Sequence, residues 1–406
     1  MEIFSSTQFW KNFAKTAWEK KPVLVKNFES PLREIQADDI FSMLVDYADH
    51  CRKIQKVDGF KFYVFGEMQF DDIVLQILPL KKDKTLQGYH QRMEKVFEDY
   101  CLVCDELLQV SQNCFRKLRK FTEIIFEHVG FPNRFAEMGL YLGNYRQTPF
   151  GVHVDGCGVF SFPVVGQKTF RLWSADFAAQ NPSLNRAHEY SRFKKHSEIM
   201  VAKSGDMTYW PSSAWHIAES NGSFSATWSL GIWVDRTHQE NVIEAVGPVL
   251  KRLLGKSGSA TTIHITETQK DGQKHLPENY LKSISVLKNI SDKQWHDILL
   301  KSWLALHSKN GFKNGPKIKA SQNLTLASRI KIQEGNLIQW AQLKTESKTV
   351  FAFQGILVEA KKNKDLLSII KNLNSGKECL ISDFLSKKDF ILINELHKAG
   401  AFEVVD

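Results

Sequence analysis

Between residues 138 and 236 the chain breaks into short β-forming runs: MGLYLGNY, GVFSFPVV, TFRLWSA, SEIMVAKSGDMTYWP and SFSATWSLGIWV. Gly, Pro, Asn and Ser separate them. β-Branched and aromatic residues suit a pleated, half-buried surface, and the separating residues supply turns. Short strands at this spacing predict an antiparallel barrel or sandwich rather than a helical bundle. The 28 Phe and 10 Trp of the chain provide the large side chains that such a core needs.

The flanks have helical texture. Thr7 to Lys20 reads as a helix that Pro22 ends, followed by a short strand, Pro22 to Asn27. Residues 38–50 and 86–129 have helical spacing; in the second, Leu107, Val110, Phe115, Leu118, Phe121 and Ile125 recur at threes and fours up to Gly130 and Pro132. Helix returns at 238–254. Residues 257–275 read as a polar loop, and two amphipathic helices follow at about 277–288 and 291–308. The tail reads as strands at 324–332 and 350–358, helices at 366–373 and 388–398, and a last strand at 402–405. Helix, helix, strand is compatible with a winged-helix module.

A length of 406 residues predicts two or three domains. The opening MEIFSSTQFWKNF lacks the apolar region of a signal peptide, and no apolar run approaches the ~20 residues of a membrane span. Six cysteines without a paired framework fit a reducing, cytoplasmic setting. Cys101 and Cys104 form a CxxC, but no second pair completes a zinc set, and residues 97–117 read as helix. The net charge of +9 is uneven: residues 1–256 carry 32 basic against 30 acidic groups, and residues 270–331 carry 12 against 4. That basic stretch is compatible with a nucleic-acid or acidic partner, and equally with a solvated lysine-rich helical face.

The chemistry centres on His153-Val154-Asp155. Residues i and i+2 of a strand project to one side, so one imidazole and one carboxylate can converge on an ion. The best third ligand is His216, in GDMTYWPSSAWHIAES. Two imidazoles and a carboxylate form the facial triad of non-haem Fe(II) oxygenases, with three coordination positions left open. The same three ligands can also hold catalytic zinc. Lys168 lies 13 residues after Asp155, in VVGQKTFRLW. A co-substrate with two carboxylates needs one end on the metal and the other on a fixed cation, which a lysine supplies; an outward-facing strand lysine is the alternative. Tyr141, Asn144 and Trp228 lie on β segments flanking the ligands and are candidate substrate-pocket residues, with ordinary core packing as the alternative, as it is for Tyr209 and Trp210. Cys157 sits near the metal as a small buried residue and is not counted as a ligand.

HVD, GQKTFRLW and GDMTYWPSSAWHIAES together resemble the core of JmjC-type 2-oxoglutarate oxygenases, over roughly residues 130–236. The opening FWKNFAKTAWEKKPVLVKNF and the architecture of the tail resemble the ribosomal oxygenase branch of that family. The resemblance implies an α+β protein with a double-stranded β-helix of the jelly-roll, cupin-like kind and flanking helices. It implies a JmjC catalytic domain at 1–254, a helical dimerisation segment at 255–320 and a winged-helix-like domain at 321–406. It implies Fe(II) on His153, Asp155 and His216, 2-oxoglutarate with its distal carboxylate on Lys168, and dioxygen. The branch uses lysine or arginine for that cation. The implied activity is hydroxylation of a protein or peptide side chain, with an arginine or histidine of a ribosomal protein as the branch's target, by a homodimer. Two alternatives stay open: a JmjC-type hydroxylase tailoring a peptide or small metabolite, and a cupin-like binding protein without catalysis.

Overall fold

The structure, a computed structural model, describes residues 6–254, 269–270, 273–315, 323–332, 336–383 and 387–405. The chain divides into two compact units, Met1–Asp235 with Asn310–Ile318, and Arg236–Lys309 with Lys319–Asp406.

Eleven strands build the first unit: β1 (Val23–Val25), β2 (Phe60–Val64), β3 (Glu67–Met68), β4 (Tyr100–Asp105), β5 (Ala136–Gly143), β6 (Cys157–Val165), β7 (Gln167–Trp173), β8 (Glu198–Lys203), β9 (Met207–Trp210), β10 (Trp215–Glu219) and β11 (Ser225–Trp233). The major sheet runs β1-β9-β6-β11-β5-β4-β2-β3, and the minor sheet runs β10-β7-β8. Residues 147–153 extend the minor sheet through two bridges, Gln147 to Glu219 and His153 to His216. From β5 to β11 the chain therefore crosses repeatedly between two antiparallel sheets, which fits the antiparallel barrel expected from the β runs and the double-stranded β-helix that the resemblance implies.

The five longer elements packed outside the sheets or beside them are α1 (Thr7–Thr16), α2 (Ala37–Ile54), α3 (Asp71–Ile77), α4 (Leu86–Met93) and α5 (Gln112–Val129). Ser111 caps α5 by accepting from Cys114 N, and the chain leaves it at Gly130 with φ of 93°. Trp10, Phe13, Phe115, Leu118 and Phe121 from these helices meet Leu140, Phe160, Phe162 and Trp228 from the major sheet in one core. Burial of each such side chain is worth about 1.5–3 kcal/mol. This face is closed by helices, which leaves the inner face of the barrel for a ligand.

One expectation fails here. The helical reading of 86–129 and of 97–117 is interrupted by strand β4, which pairs with β2 and β5. The run YCLVC is buried on both faces, so apolar residues appear at every position and mimic helical spacing. Strand geometry also sends Cys101 and Cys104 to opposite faces, Cys101 to a cluster with Tyr145 and Cys104 to the helical core, so they cannot share a zinc ion.

The second unit contains helices His238–Leu253, Glu278–Lys288 and Asp292–Ser308. Its two three-stranded sheets are Cys379–Leu380 with Arg329–Ile332 and Phe402–Val405, and Gln339–Gln342 with Lys348–Phe353 and Ile356–Lys361. The single strand expected at 350–358 is two strands, because Gln354 and Gly355, both with positive φ, turn the chain. Helices Lys364–Asn374 and Lys387–Lys398 pack with both of these sheets around Ile330, Phe351, Ile370 and Leu396. The buried Asp297 accepts from Lys344 N, Thr345 N and Thr345 Oγ1, which ties the helix Asp292–Ser308 to the hairpin beside it. Most of the polar loop read at 257–275 lies outside the described residues. Among the described residues no helix is long and apolar enough to cross a membrane.

Candidate active site

His153 and His216 pair across the minor sheet as hydrogen-bonded neighbours: His153 N donates to His216 O at 3.1 Å and His216 N to His153 O at 2.7 Å. The HxD is not a regular strand. His153 makes only this bridge, and Asp155 follows in the loop before β6. Gly151, at φ of 67°, bends the chain so closely past Arg186 that a Cβ there would lie 2.7 Å from its carbonyl oxygen. The alternation of side chains survives the irregularity: Val154 points to solvent while His153 and Asp155 turn inward.

His153, Asp155 and His216 offer ligand atoms that all lie within 4.8 Å of one another. His153 Nε2 stands 3.6 Å from Asp155 Oδ1, and His216 Nε2 stands 3.4 Å from Asp155 Oδ2. The other ring nitrogens face backbone carbonyls, His153 Nδ1 to Gly151 O at 2.9 Å and His216 Nδ1 to Ala214 O at 3.2 Å. A carbonyl only accepts, so each Nδ1 carries the proton and each Nε2 keeps a lone pair for a metal. Burial and the neighbouring His153 lower the His216 pKa to about 4, opposed by Asp155, so the ring is neutral and able to ligate at neutral pH. Two imidazoles and one carboxylate suit a first-row divalent ion and leave coordination positions open.

The three groups open into a cavity of about 310 Å³ inside the barrel. Lys168 also lines it. Along β7 and β10, Leu172 pairs with His216 and Phe170 with Ala218, so Lys168 lies four residues further from the metal row, about 13 Å of strand. The lysine is 2 % exposed. Its Nζ donates to Tyr145 Oη and to Ser220 Oγ at 2.8 Å, with Ser225 Oγ at 3.4 Å, and it lies 3.8 Å from the centre of the Tyr145 ring. Burial lowers its pKa to about 7, countered weakly by Cys101. No carboxylate pairs with it among the described residues. Trp210 Nε1 and Thr227 Oγ1 also line the cavity, buried and without a protein partner. Buried polar atoms of this kind call for a ligand or water.

Of the pocket residues expected from the sequence, Tyr141 lines the cavity. Asn144 does not: its side chain accepts from Tyr100 N at 3.0 Å and donates to Glu98 O at 3.1 Å, holding β4 in place. Trp228 does not either; it faces the helical core and a second cavity of about 240 Å³ on the other side of the major sheet. Tyr209 packs in that core, whereas Trp210 lines the cavity, its ring 5.0 Å from that of His216. Cys157 lines the cavity, with burial pushing its thiol well up. The hydroxyls around Lys168 (Tyr145, Ser220, Ser225) and the acidic lining residues Asp105 and Glu137 carry no sequence signal, since they come from separate elements.

Residues 111–240 match the family model described as a JmjC domain. The chain carries a JmjC domain. Solved structures with the same fold include YcfD from E. coli, at 12% identity and a TM-score of 0.51 over 98% of each chain. YcfD, a ribosomal oxygenase, in complex with cobalt and 2-oxoglutarate is similar at 12% identity and a TM-score of 0.52, again over 98% of each chain. Its complex with cobalt and succinic acid is similar at 13% identity and a TM-score of 0.51 over the same share of each chain. At these identities the likeness is one of fold. Comparison with curated protein sequences gives no match. The JmjC match ends at residue 240, close to the boundary between the two units.

Proposed function

We propose that this protein is an Fe(II)- and 2-oxoglutarate-dependent hydroxylase of a polypeptide side chain, with the metal on His153, Asp155 and His216 and the distal carboxylate of 2-oxoglutarate on Lys168. The observation that carries this reading is the buried Lys168 ammonium without a protein counter-charge, at the far end of the cavity that the two histidines and the aspartate share. A buried cation is costly unless paired, so the site is built for an incoming anion. When bound, Fe(II) with 2-oxoglutarate and dioxygen supplies an oxidative decarboxylation that leaves succinate and carbon dioxide and places one oxygen atom into a substrate C–H bond.

The residues of the chain bind, orient and exclude water. The Nδ1–H donors of both histidines fix their rings. Tyr145, Ser220 and Ser225 hold the lysine and add hydroxyl donors for the carboxylate. Tyr141 and Phe150 form an aromatic wall, Phe150 with its ring 5.6 Å from that of His153. Asp105, paired with Lys61 at 2.7 Å, and Glu137, whose pKa burial raises, put carboxyl groups in the cavity lining, and Gly139 between them adds no side chain to fill the space. That combination favours a basic target such as the arginine or histidine of a ribosomal protein. The helices Glu278–Lys288 and Asp292–Ser308 form the dimer contact in this proposal, residues 321–406 a winged-helix-like module.

The test is anaerobic loading with Fe(II) and 2-oxoglutarate, then exposure to oxygen with ribosomal proteins of the source organism. Succinate release with a gain of one oxygen on a ribosomal protein supports the proposal. Succinate release with no modified ribosomal protein, and a peptide or small metabolite modified instead, moves the substrate to the tailoring class. Absence of any Fe(II)-dependent 2-oxoglutarate binding refutes it.

A further inference from the structure

The β2–β3 hairpin carries features that neither the barrel nor the metal site requires. Its two-residue turn is Phe65-Gly66, with φ of 49° and 84°. Both positions of such a turn need positive φ, which Asn-Gly satisfies easily and a bulky aromatic does not. Phe65 stands out in water at this turn, 63% exposed. Met68 beside it is 64% exposed and Phe70 is 79% exposed. Large apolar side chains clustered at the surface mark an interaction site.

This patch is continuous with the metal site. Met68 is the cross-strand partner of Tyr63, so the two side chains share one face. The Tyr63 ring meets Phe150 edge-on at 5.5 Å, and Phe150 in turn meets His153 at 5.6 Å. Two residues earlier on β2, on the same face, Lys61 pairs with the cavity residue Asp105 at 2.7 Å. A row of apolar side chains thus runs from the metal-binding histidine to the last strand of the major sheet, over about 15 Å, the reach of four to five extended residues. Among the described residues β3 has no strand beyond it, so its outward backbone groups can accept an added strand.

The rim of the patch is acidic. Glu67, Asp71 and Asp72 are exposed, and none has a basic partner among the described residues. Glu98, close by in sequence to β4, is balanced by Arg146 at 3.3 Å. The first unit as a whole is near electrical balance, so this local excess is what a basic chain would meet.

We infer that the hairpin is the docking surface for the polypeptide substrate: an extended, basic segment with an apolar residue that seats on Phe65, Met68 and Phe70 while a side chain a few residues away enters the cavity. The inference rests on the hydroxylase reading and adds to it where the substrate is gripped and what its flanking sequence must contain. A free amino acid or small metabolite has no use for such a surface.

The test uses the full chain loaded with Mn(II) and 2-oxoglutarate and overlapping peptides covering the ribosomal proteins of the source organism. Phe65→Asn and Met68→Thr are combined; asparagine accepts positive φ, so the turn is relieved rather than broken. Wild-type protein is expected to bind peptides that combine Lys or Arg with a nearby apolar residue, and the double variant to bind them at least about tenfold more weakly. Asp71→Lys with Asp72→Lys should weaken the same peptides most at low salt. The affinity for Mn(II) and 2-oxoglutarate, measured on the same samples, should not change. Equal peptide binding by wild type and double variant, or no peptide bound by the wild type, overturns the docking surface. Loss of Mn(II) and 2-oxoglutarate binding in the wild type overturns the hydroxylase reading instead.

Discussion

His153 and His216 exchange two backbone hydrogen bonds, at 3.1 and 2.7 Å, and each points its Nδ1 at the carbonyl two residues before it. One short antiparallel bridge thereby sets the spacing of the two rings, their orientation and their tautomers at once. Asp155 needs only to follow His153 by two residues to stand within 3.6 Å of one Nε2 and 3.4 Å of the other. The ligand geometry is a property of the backbone, and side-chain packing adds to it.

The first expected outcome concerns these ligands. His153→Ala, Asp155→Ala and His216→Ala should each abolish Mn(II) binding and 2-oxoglutarate turnover while the far-ultraviolet circular dichroism stays unchanged, since the bridge is made by main-chain atoms. Calorimetric titration with Mn(II) reads the first effect. A variant that binds Mn(II) and produces succinate like the wild type would remove its residue from the ligand set.

Lys168→Ala should raise the KM for 2-oxoglutarate about ten- to a hundred-fold, the equivalent of a lost charge-assisted hydrogen bond of roughly 1.5–3 kcal/mol. Lys168→Arg keeps the charge and should be milder. Initial rates at varied 2-oxoglutarate decide the matter, and an unchanged KM in the alanine variant would place the distal carboxylate on another group.

The same lysine predicts a pH dependence. Burial lowers its pKa to about 7, and a bound carboxylate would raise it again. Only the protonated form attracts the anion, so affinity is full below pH 7 and declines above it, by about tenfold per unit while the free lysine is neutral and the bound one charged. Titration of Mn(II)-loaded protein with 2-oxoglutarate between pH 6 and about 9 measures this. A flat profile in the wild type would contradict it, and Lys168→Arg should be flat throughout because arginine stays protonated.

The legible part of the site was the part whose chemistry is fixed by residue type. His153, Asp155, His216 and Lys168 stand out because few roles need those groups on β segments at that spacing. The pocket residues were less legible because they depend on which way each strand faces. On β11, Thr227 and Ser229 face the cavity and Trp228 faces the helices, but both faces are buried, so hydrophobicity cannot reveal the parity. Near the end of β5 the sequence offers Asn144, although Tyr145 is the residue that meets Lys168; Tyr145 shares the face of Tyr141, whereas Asn144 has the parity of the core residues Leu140 and Leu142. Strand β4 was hidden for the same reason as Trp228. The acidic lining pair joins residues of two strands, Asp105 and Glu137, and only the pairing of β4 with β5 brings those strands together.

The last expected outcome concerns the oligomer. Ile284, Leu287, Ile290, Trp295, Ile298, Leu299, Trp303 and Leu306 lie in or beside the helices Glu278–Lys288 and Asp292–Ser308, and none of the eight is buried within one chain. Trp303 is 51% exposed. Apolar side chains on this scale bury against a partner chain in preference to water. Removing everything after residue 254 would be a poor test, because it also deletes Phe312, which is buried against Phe115 and bridges to Ala136 in the first unit. Ile284→Glu combined with Trp303→Glu in the full chain leaves that contact intact. Light scattering should give a dimer for the wild type and a monomer for the double variant, with Mn(II) affinity equal in both, because these helices contribute no ligand to the metal. A wild-type chain that is monomeric at working concentration would end the dimer proposal and leave the triad and Lys168 untouched.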